Sequence, residues 1–415
     1  MTQAAQWAAW EAARAGPPPL VATPAALPAP ESLPPRAWLY GTALIRRFVS
    51  LLVAPGGVGK SALALGQALA LASGRPFLAE RVHHSVPAWV LNLEDPLEET
   101  ERRVAALMAR HGIAAPALAG RLFLDSGRKR RLCMACHGPE GRAIVHPDEA
   151  ALVEAARAAG VGLIVVDPFV RSHALDENSN QEMDAAAAAW ARVAEATAAA
   201  VLLVHHVRKG AAEAESEVEA ARGAKALTDA ARVARLLSAM TTSEAEKLGV
   251  DPRERHRFIR LDDAKANLAP RAEAALWFRL DSVNLNNATP LYPAGDAVAV
   301  VVPWTPPSPF AALDDAACNR VLDAIAAGPE PGVRYTAQRR GRGASGGRWA
   351  GALLVREHGL SEGQADTVLT TWLKSGLLVE ADYRDPVQRR ARRGLSVNET
   401  LRPGARRGNG QGDGA

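Results

Sequence analysis

The sequence predicts an α/β fold: a P-loop nucleotide-binding core on a mainly parallel sheet, followed by a small C-terminal domain. Three observations carry this. Residues 51–61 read LLVAPGGVGKS, an apolar strand that breaks into a glycine-rich turn and ends on Lys60-Ser61. Apolar strand patterns then alternate with helical ones over about 150 residues. Those strands are apolar on both faces rather than alternating, as expected of a parallel sheet covered on both sides.

The turn explains itself chemically. Ala54, Pro55, Gly56, Gly57, Val58, Gly59, Lys60 and Ser61 place backbone N–H groups and a helix N-terminus around a polyphosphate. Lys60 would neutralise the β- and γ-phosphates, and the Ser61 hydroxyl would ligate Mg²⁺. Ala54 stands where the strict motif has its first glycine, but three glycines remain to supply backbone freedom. The expected ligands are ATP and Mg²⁺.

Strands are predicted at 49–54, 88–93, 121–125, 162–166 and 201–204, and helices at 61–72, 98–111, 149–159 and 183–198. The second strand, WVLNLEDP, ends in Glu94-Asp95 beside the loop; Glu94 would orient the attacking water, with Asp95 supporting it or capping the next helix. VGLIVVDP sets Asp167 after four apolar residues, the Walker-B position that holds Mg²⁺. AVLLVHH ends in His205-His206, and His206 is the candidate reporter of the γ-phosphate. Later apolar runs at 257–261, 275–280 and 298–302 would extend the sheet as antiparallel additions.

The order APGGVGKS, LNLED, VVDPFVRSHALDENSNQEMD, LLVHHVRKGAA, ARGAKALTDAARV, SAMTTSEAEKLGVD and AKANLAP resembles the RepA-type hexameric replicative helicases of broad-host-range plasmids over roughly residues 40–285. The resemblance implies a RecA-like fold and a ring, expected to be hexameric, that moves on single-stranded DNA and hydrolyses ATP between subunits. It gives Glu94 the catalytic carboxylate, Asp167 the Walker-B role, His206 the sensor role and Arg232 the arginine finger. Read locally, Arg232 could instead pair with Asp229 on one helix. Lys265 falls where such rings place a trans-acting cation. DNA contacts are expected from the loops at 171–183 and 207–222, with Arg208 and Lys209 the leading candidates. Four glutamates in EAESEVEAA oppose phosphate in the second loop.

The boundaries follow composition. Residues 1–36 are Pro/Ala-rich, 37–302 form the core, 303–314 a proline-rich linker, 315–400 a helix–helix–helix–hairpin that resembles a winged helix, and 401–415 a Gly/Arg-rich disordered tail. Of 415 residues, 49 are Lys or Arg and 45 Asp or Glu, yet residues 331–415 hold 15 against 8. That basic end suits an anionic partner: duplex DNA through the runs at 339–348 and 389–393, or alternatively a replication protein. Trp7 and Trp10 could dock on a neighbouring protomer, whereas Trp38 and Tyr40 are expected in the core. No run approaches a membrane span, the first residues lack the order of a signal peptide, and three cysteines give no disulfide framework, so a cytoplasmic protein is expected. The Cys133-Met-Ala-Cys136-His137 run spells a haem-attachment pattern that needs export, and with His146 it could ligate zinc; a variable loop is the expectation. A RecA-like recombination filament and an ATP-controlled winged-helix regulator are the alternatives.

Overall fold

A computed structural model describes residues 21–139, 141, 143–207, 225–339 and 347–404. The chain divides into two units, Met1–Ala37 and Trp38–Ala415. In the first, the described residues hold a single 3-10 turn, Pro30–Ser32. Trp7, Trp10, Arg208, Lys209 and the tail from 405 lie outside the described residues, as do most of the 207–222 loop and residues 340–346 of the first basic run.

The second unit opens with a short hairpin, β1 (Trp38–Tyr40) and β2 (Leu44–Ile45). Tyr40 is buried in the core, and burial beside Glu80 pushes its hydroxyl pKa up. Then come β3 (Val49–Pro55), α1 (Lys60–Ser73), β4 (Ala88–Asn92), α2 (Leu97–His111), β5 (Leu122–Ser126), the two-residue strands β6 (Cys136–His137) and β7 (Ile144–Val145), α3 (Glu149–Ala158), β8 (Leu163–Asp167), α4 (Asn180–Thr197) and β9 (Ala200–Val207). Beyond the undescribed loop lie α5 (Lys225–Ala230), β10 (Val233–Ala239), α6 (Thr242–Leu248), β11 (Phe258–Ala266), β12 (Leu276–Asn284) and β13 (Ala297–Pro303).

One nine-stranded sheet in the order β13-β12-β11-β10-β3-β9-β8-β4-β5 organises the core. The strands from β10 to β5 are parallel, and β11, β12 and β13 add on antiparallel, as the apolar runs predicted. Every residue of β3 and β8 is buried, which is why neither shows alternation in sequence. Successive β3 residues serve opposite faces. Leu52 and Ala54 join the apolar cluster under α1; Leu51 and Val53 join the one under α4. The ALALGQALALA helix is buried on nearly all sides, and Gly59 and Gly74 bound it in left-handed conformations.

The remaining elements are α7 (Asp315–Ala327), α8 (Gly351–His358), α9 (Glu362–Lys374) and the antiparallel pair β14 (Leu378–Arg384) and β15 (Ala391–Val397), built round their own apolar cluster. Ser361 caps α9 in a capping box with Gln364. The start of α9 presses on α6: Ser361 Oγ donates to the Glu246 carbonyl, and a Cβ on Gly363 would stand 2.7 Å from the same peptide. Several of the basic residues here turn inward. Arg348 is buried and donates to the Tyr383 hydroxyl at 3.0 Å, Arg392 pairs with buried Asp385 at 3.1 Å, and Arg339 pairs with Glu362 at 2.6 Å. No helix among the described residues is long and apolar enough to cross a membrane.

Two local expectations change. Glu94's strand does not neighbour the phosphate loop, because β9 and β8 intervene between β3 and β4. Arg232 is not helical: α5 ends at Ala230, and the next residues enter β10, whose Val233 pairs with Ser50 of β3.

Candidate nucleotide site

The phosphate loop spans the exit of β3 and the entry of α1. Gly57 and Gly59 take φ of 81° and 95°, the left-handed region where a side chain would be strained. A Cβ on Gly56 or Gly57 would meet no atom within 4 Å, so the loop's concave side is open, whereas one on Gly59 would stand 3.1 Å from Leu280. A cavity of about 440 Å³ lies over it, lined by the loop, by Asp95, Arg102 and Arg103, and by Ala297–Ala299 at the start of β13.

Three titratable side chains, from the ends of three strands, converge on Lys60 and Ser61. Lys60 is only 4% exposed, and burial lowers its pKa against the opposing pull of Asp167 and Glu94. Asp167, at the end of β8, is also buried; burial raises its pKa, while a hydrogen bond with the Ser61 hydroxyl and the charges of Lys60, His206 and Arg103 oppose that. His206 lies on β9 opposite Ala54 of β3, at the exposed rim. Its pKa is lowered, first by partial burial and then by Lys60, with Asp167 and Glu94 acting the other way. Lys60, Asp167, Glu94 and His206 therefore share one field.

The donor set fits a hard cation. The Ser61 hydroxyl and the buried Asp167 carboxylate are adjacent oxygen ligands with phosphate oxygens expected beside them, which is the environment Mg²⁺ takes.

Glu94 reaches this field because its backbone is held there. Asn92 Oδ1 accepts from the backbone N–H of Glu94 at 3.1 Å and of Asp95 at 2.8 Å. Arg128 Nε donates to the Glu94 carbonyl at 2.8 Å, and Ser126 Oγ donates to the Asp95 carbonyl at 2.6 Å. Leu93 N–H donates to the Asp167 carbonyl at 2.7 Å, tying the turn to β8. The Glu94 carboxylate itself makes no hydrogen bond or ion pair among the described residues. Asp95 does not cap α2; it pairs with Arg103 at 2.8 Å, and Arg103 also meets Glu99 at 3.2 Å.

Asn92, Arg103 and Arg128 thus belong to the site, although sequence reasoning did not select them. The i, i+4 spacing of Glu99 and Arg103 reads as an exposed helix pair. An asparagine just before an acidic pair was the available signal, since its side chain commonly bonds backbone two residues on.

The structure does not bring Arg232 or Lys265 to this cluster. Arg232 follows α5, is exposed and forms no ion pair with Asp229 or any other described residue. Its N–H donates to the Val49 carbonyl, at the opposite end of β3 from the phosphate loop. Lys265 lies alongside, its Nζ donating to the Thr228 and Asp229 carbonyls at 2.8 and 2.9 Å.

Residues 16–212 match the family model of an AAA domain. The matched span, just under half of the chain, is similar to an AAA-type P-loop ATPase domain. The matched span takes in the phosphate loop, Glu94, Asp167 and His206, and ends before Arg232 and Lys265. It supports ATP as the nucleotide and hydrolysis as the activity. No group of three or more metal-ligating side chains occurs among the described residues, Cys133, Cys136 and His137 included.

Proposed function

We propose that this protein is an ATP- and Mg²⁺-dependent DNA motor: a DNA-stimulated ATPase and helicase acting as a ring, hexameric in the simplest form, on single-stranded DNA during replication of a plasmid, phage or other mobile element. The observation that carries the reading is the separation of Arg232 from the phosphate loop. Seven residues of β3 at ~3.3 Å each set the two roughly 20 Å apart. An unpaired, exposed arginine at that distance cannot serve its own nucleotide, but it can serve a neighbour's.

In this scheme Lys60 and the loop's N–H groups bind the phosphates, and Ser61 and Asp167 would hold Mg²⁺, which would supply charge neutralisation at the phosphate oxygens. Glu94, whose carboxylate is free to accept, orients the attacking water and takes up its proton. Arg232 of a neighbouring copy stabilises the charge that develops on the transferring phosphoryl group. His206, neutral at physiological pH by the direction of its shift, hydrogen-bonds the γ-phosphate and passes its loss to the loop beyond β9, where Arg208 and Lys209 contact the strand. Lys265, occupied by the end of α5, positions that segment.

A regulator whose ATP state controls the C-terminal helices and hairpin is the second reading, favoured by the α7-α8-α9-β14-β15 order, which resembles a winged helix. Strand displacement on forked DNA separates the two. The motor unwinds only with hydrolysable ATP, and Lys60→Ala abolishes unwinding; a wild type that hydrolyses ATP equally with and without single-stranded DNA and displaces nothing sinks the motor reading.

A further inference from the structure

We propose that Cys133 and Cys136 form a reversible dithiol–disulfide pair, a redox-sensitive site whose oxidant is a low-molecular-weight disulfide of the glutathione class. The site stands apart from the motor reading. Both cysteines are free thiols and half-buried, whereas the third, Cys318, lies buried in the C-terminal apolar cluster. No third metal-ligating side chain groups with the pair among the described residues, so its C-x-x-C spacing is read as thiol chemistry.

The fold brings the two side chains together. Between them, Met134 and Ala135 are fully buried in a bend that is held from outside. Cys133 N–H donates to Asp148 Oδ2 at 2.7 Å, and Met134 N–H donates to the Ser172 carbonyl at 2.7 Å. His146 Nδ1 donates to the Met134 carbonyl at 2.8 Å, and Ala174 N–H donates to the Ala135 carbonyl at 2.9 Å. Cys136 then enters β6 opposite Val145. The Cys133 side chain curls over the bend: its Sγ lies 3.7 Å from the Ala135 carbonyl oxygen, on the peptide that leads into Cys136. A bend fixed by its neighbours has already lost the freedom that closing a disulfide ring costs. The second thiol therefore reaches the first sooner than another small molecule does.

The pair divides the roles. Burial first, then the Cys136 thiol beside it and the Asp148 carboxylate, push the Cys133 thiol up to about 11, with Arg131 opposing. Cys133 is protonated at neutral pH, so Cys136 attacks first. Its thiolate bonds to one sulfur of the small disulfide, that S–S bond breaks, and one small thiolate leaves. Cys133 then gives its proton to water, its sulfur attacks Cys136 Sγ, and the second small thiolate leaves. Two protein thiols are oxidised, one small disulfide is reduced, and the two S–H protons end on the two released thiolates. The closed ring tightens a bend bonded to Ser172 and Ala174, in the turn that follows Asp167. Oxidation is thus felt at the strand end that carries Asp167.

The test equilibrates full-length protein with oxidised glutathione, quenches it in acid, denatures it, and labels free thiols with N-ethylmaleimide for mass spectrometry. Reduced protein should take a label on each of its three cysteines. Oxidised protein should take one, on Cys318, with an internal disulfide on the peptide that carries Cys133 and Cys136, and dithiothreitol should restore the rest. Cys133→Ser should trap a glutathione adduct on Cys136 about tenfold faster than Cys136→Ser traps one on Cys133. That figure is the net of a smaller thiolate fraction and a stronger nucleophile at Cys133. Hydrogen exchange at the Met134 and Ala174 amides should slow several-fold on oxidation. Three labels persisting in oxidised glutathione would overturn the site, as would a disulfide between chains on a nonreducing gel. Stoichiometric zinc in protein purified without chelator would assign the pair to a metal and overturn it equally. Equal trapping rates would overturn the order of attack, and unchanged exchange would overturn the link to the turn after β8.

Discussion

The two ends of the parallel sheet are built differently. At the exit of β3, β8 and β9, Lys60, Asp167, Glu94 and His206 act on one another through partly buried space, and each is perturbed by, or perturbs, the others. At the entry of β3 and β10, Arg232 stands exposed beside Lys265, whose charge is already spent on the end of α5. On the proposed reading, one end is the nucleotide site and the other offers an exposed arginine to the site of a neighbouring copy. On that reading, the difference means that the chemistry is divided between copies of the chain.

The sharpest way to break this comparison is to remove the cation. Arg232→Ala should lower ATP turnover by about 10³–10⁵, the range for loss of an arginine finger. ATP binding should be little changed. Mixing Arg232→Ala with Lys60→Ala subunits should restore part of the activity, because an intact loop then meets an intact Arg232 across some interfaces. If the mixture stays as inactive as its components, the two ends do not serve each other.

Within the phosphate end, Glu94 is the next test. Glu94→Gln keeps the shape and the Asn92 and Arg128 backbone bonds but cannot accept a proton, so hydrolysis should fall about 10²–10⁴ while ATP is retained. Single-turnover kinetics with radiolabelled ATP reads both quantities. Turnover within tenfold of wild type would move the water-orienting role to another group, and Asp95, with Arg103 already on it, would be poorly placed to take it.

How much of this was legible depended on distance along the chain. The loop, the buried strands and the Ser361 cap are local patterns, and the elements found start and end within a few residues of those predicted. The strand order is not local, so placing β4 beside β3 was a natural error: nothing in WVLNLEDP says that two strands which come later in sequence will insert between them. The local alternative that set Arg232 on one helix with Asp229 failed for a related reason. TDAARV has no glycine or proline to stop a helix, but pairing of Val233 with Ser50 claims the segment for the sheet, and tertiary contact outweighs a few tenths of a kcal/mol of propensity per residue. The Arg128 bond joins residues 34 positions apart through the Glu94 backbone carbonyl, which leaves no side-chain signature.

A smaller effect separates the ends by pH. His205 is buried beside His206, His173 and Lys60, and burial with these neighbours holds its pKa down to about 4 from 6.5. The unfolded chain therefore binds the proton first. The stability His205 contributes is complete above pH 6.5 and is lost as pH falls towards about 4, by roughly 3 kcal/mol at the lower limit. No comparable buried ring stands by Arg232 among the described residues, so the acid-sensitive part of the fold should be the phosphate end. Urea unfolding at several pH values measures this, and His205→Asn should flatten the dependence; an equal slope in the variant would assign the acid loss elsewhere.

The smallest expected effect concerns two glycines in one loop. An alanine at Gly59 must hold φ near 95° and meets Leu280 at 3.1 Å, so Gly59→Ala should destabilise the protein by about 1–3 kcal/mol. Gly56 has no such φ, and a methyl there enters open space. Gly56→Ala should therefore leave stability within about 0.5 kcal/mol. That space is where phosphate oxygens approach the backbone, so the same change should raise the KM for ATP several-fold. Thermal melts with and without nucleotide separate the outcomes: Gly59→Ala lowers the midpoint in both, and Gly56→Ala loses only the nucleotide-dependent rise. A Gly56→Ala protein that melts early without nucleotide would mean the loop is tightened by the fold itself rather than left open for a ligand.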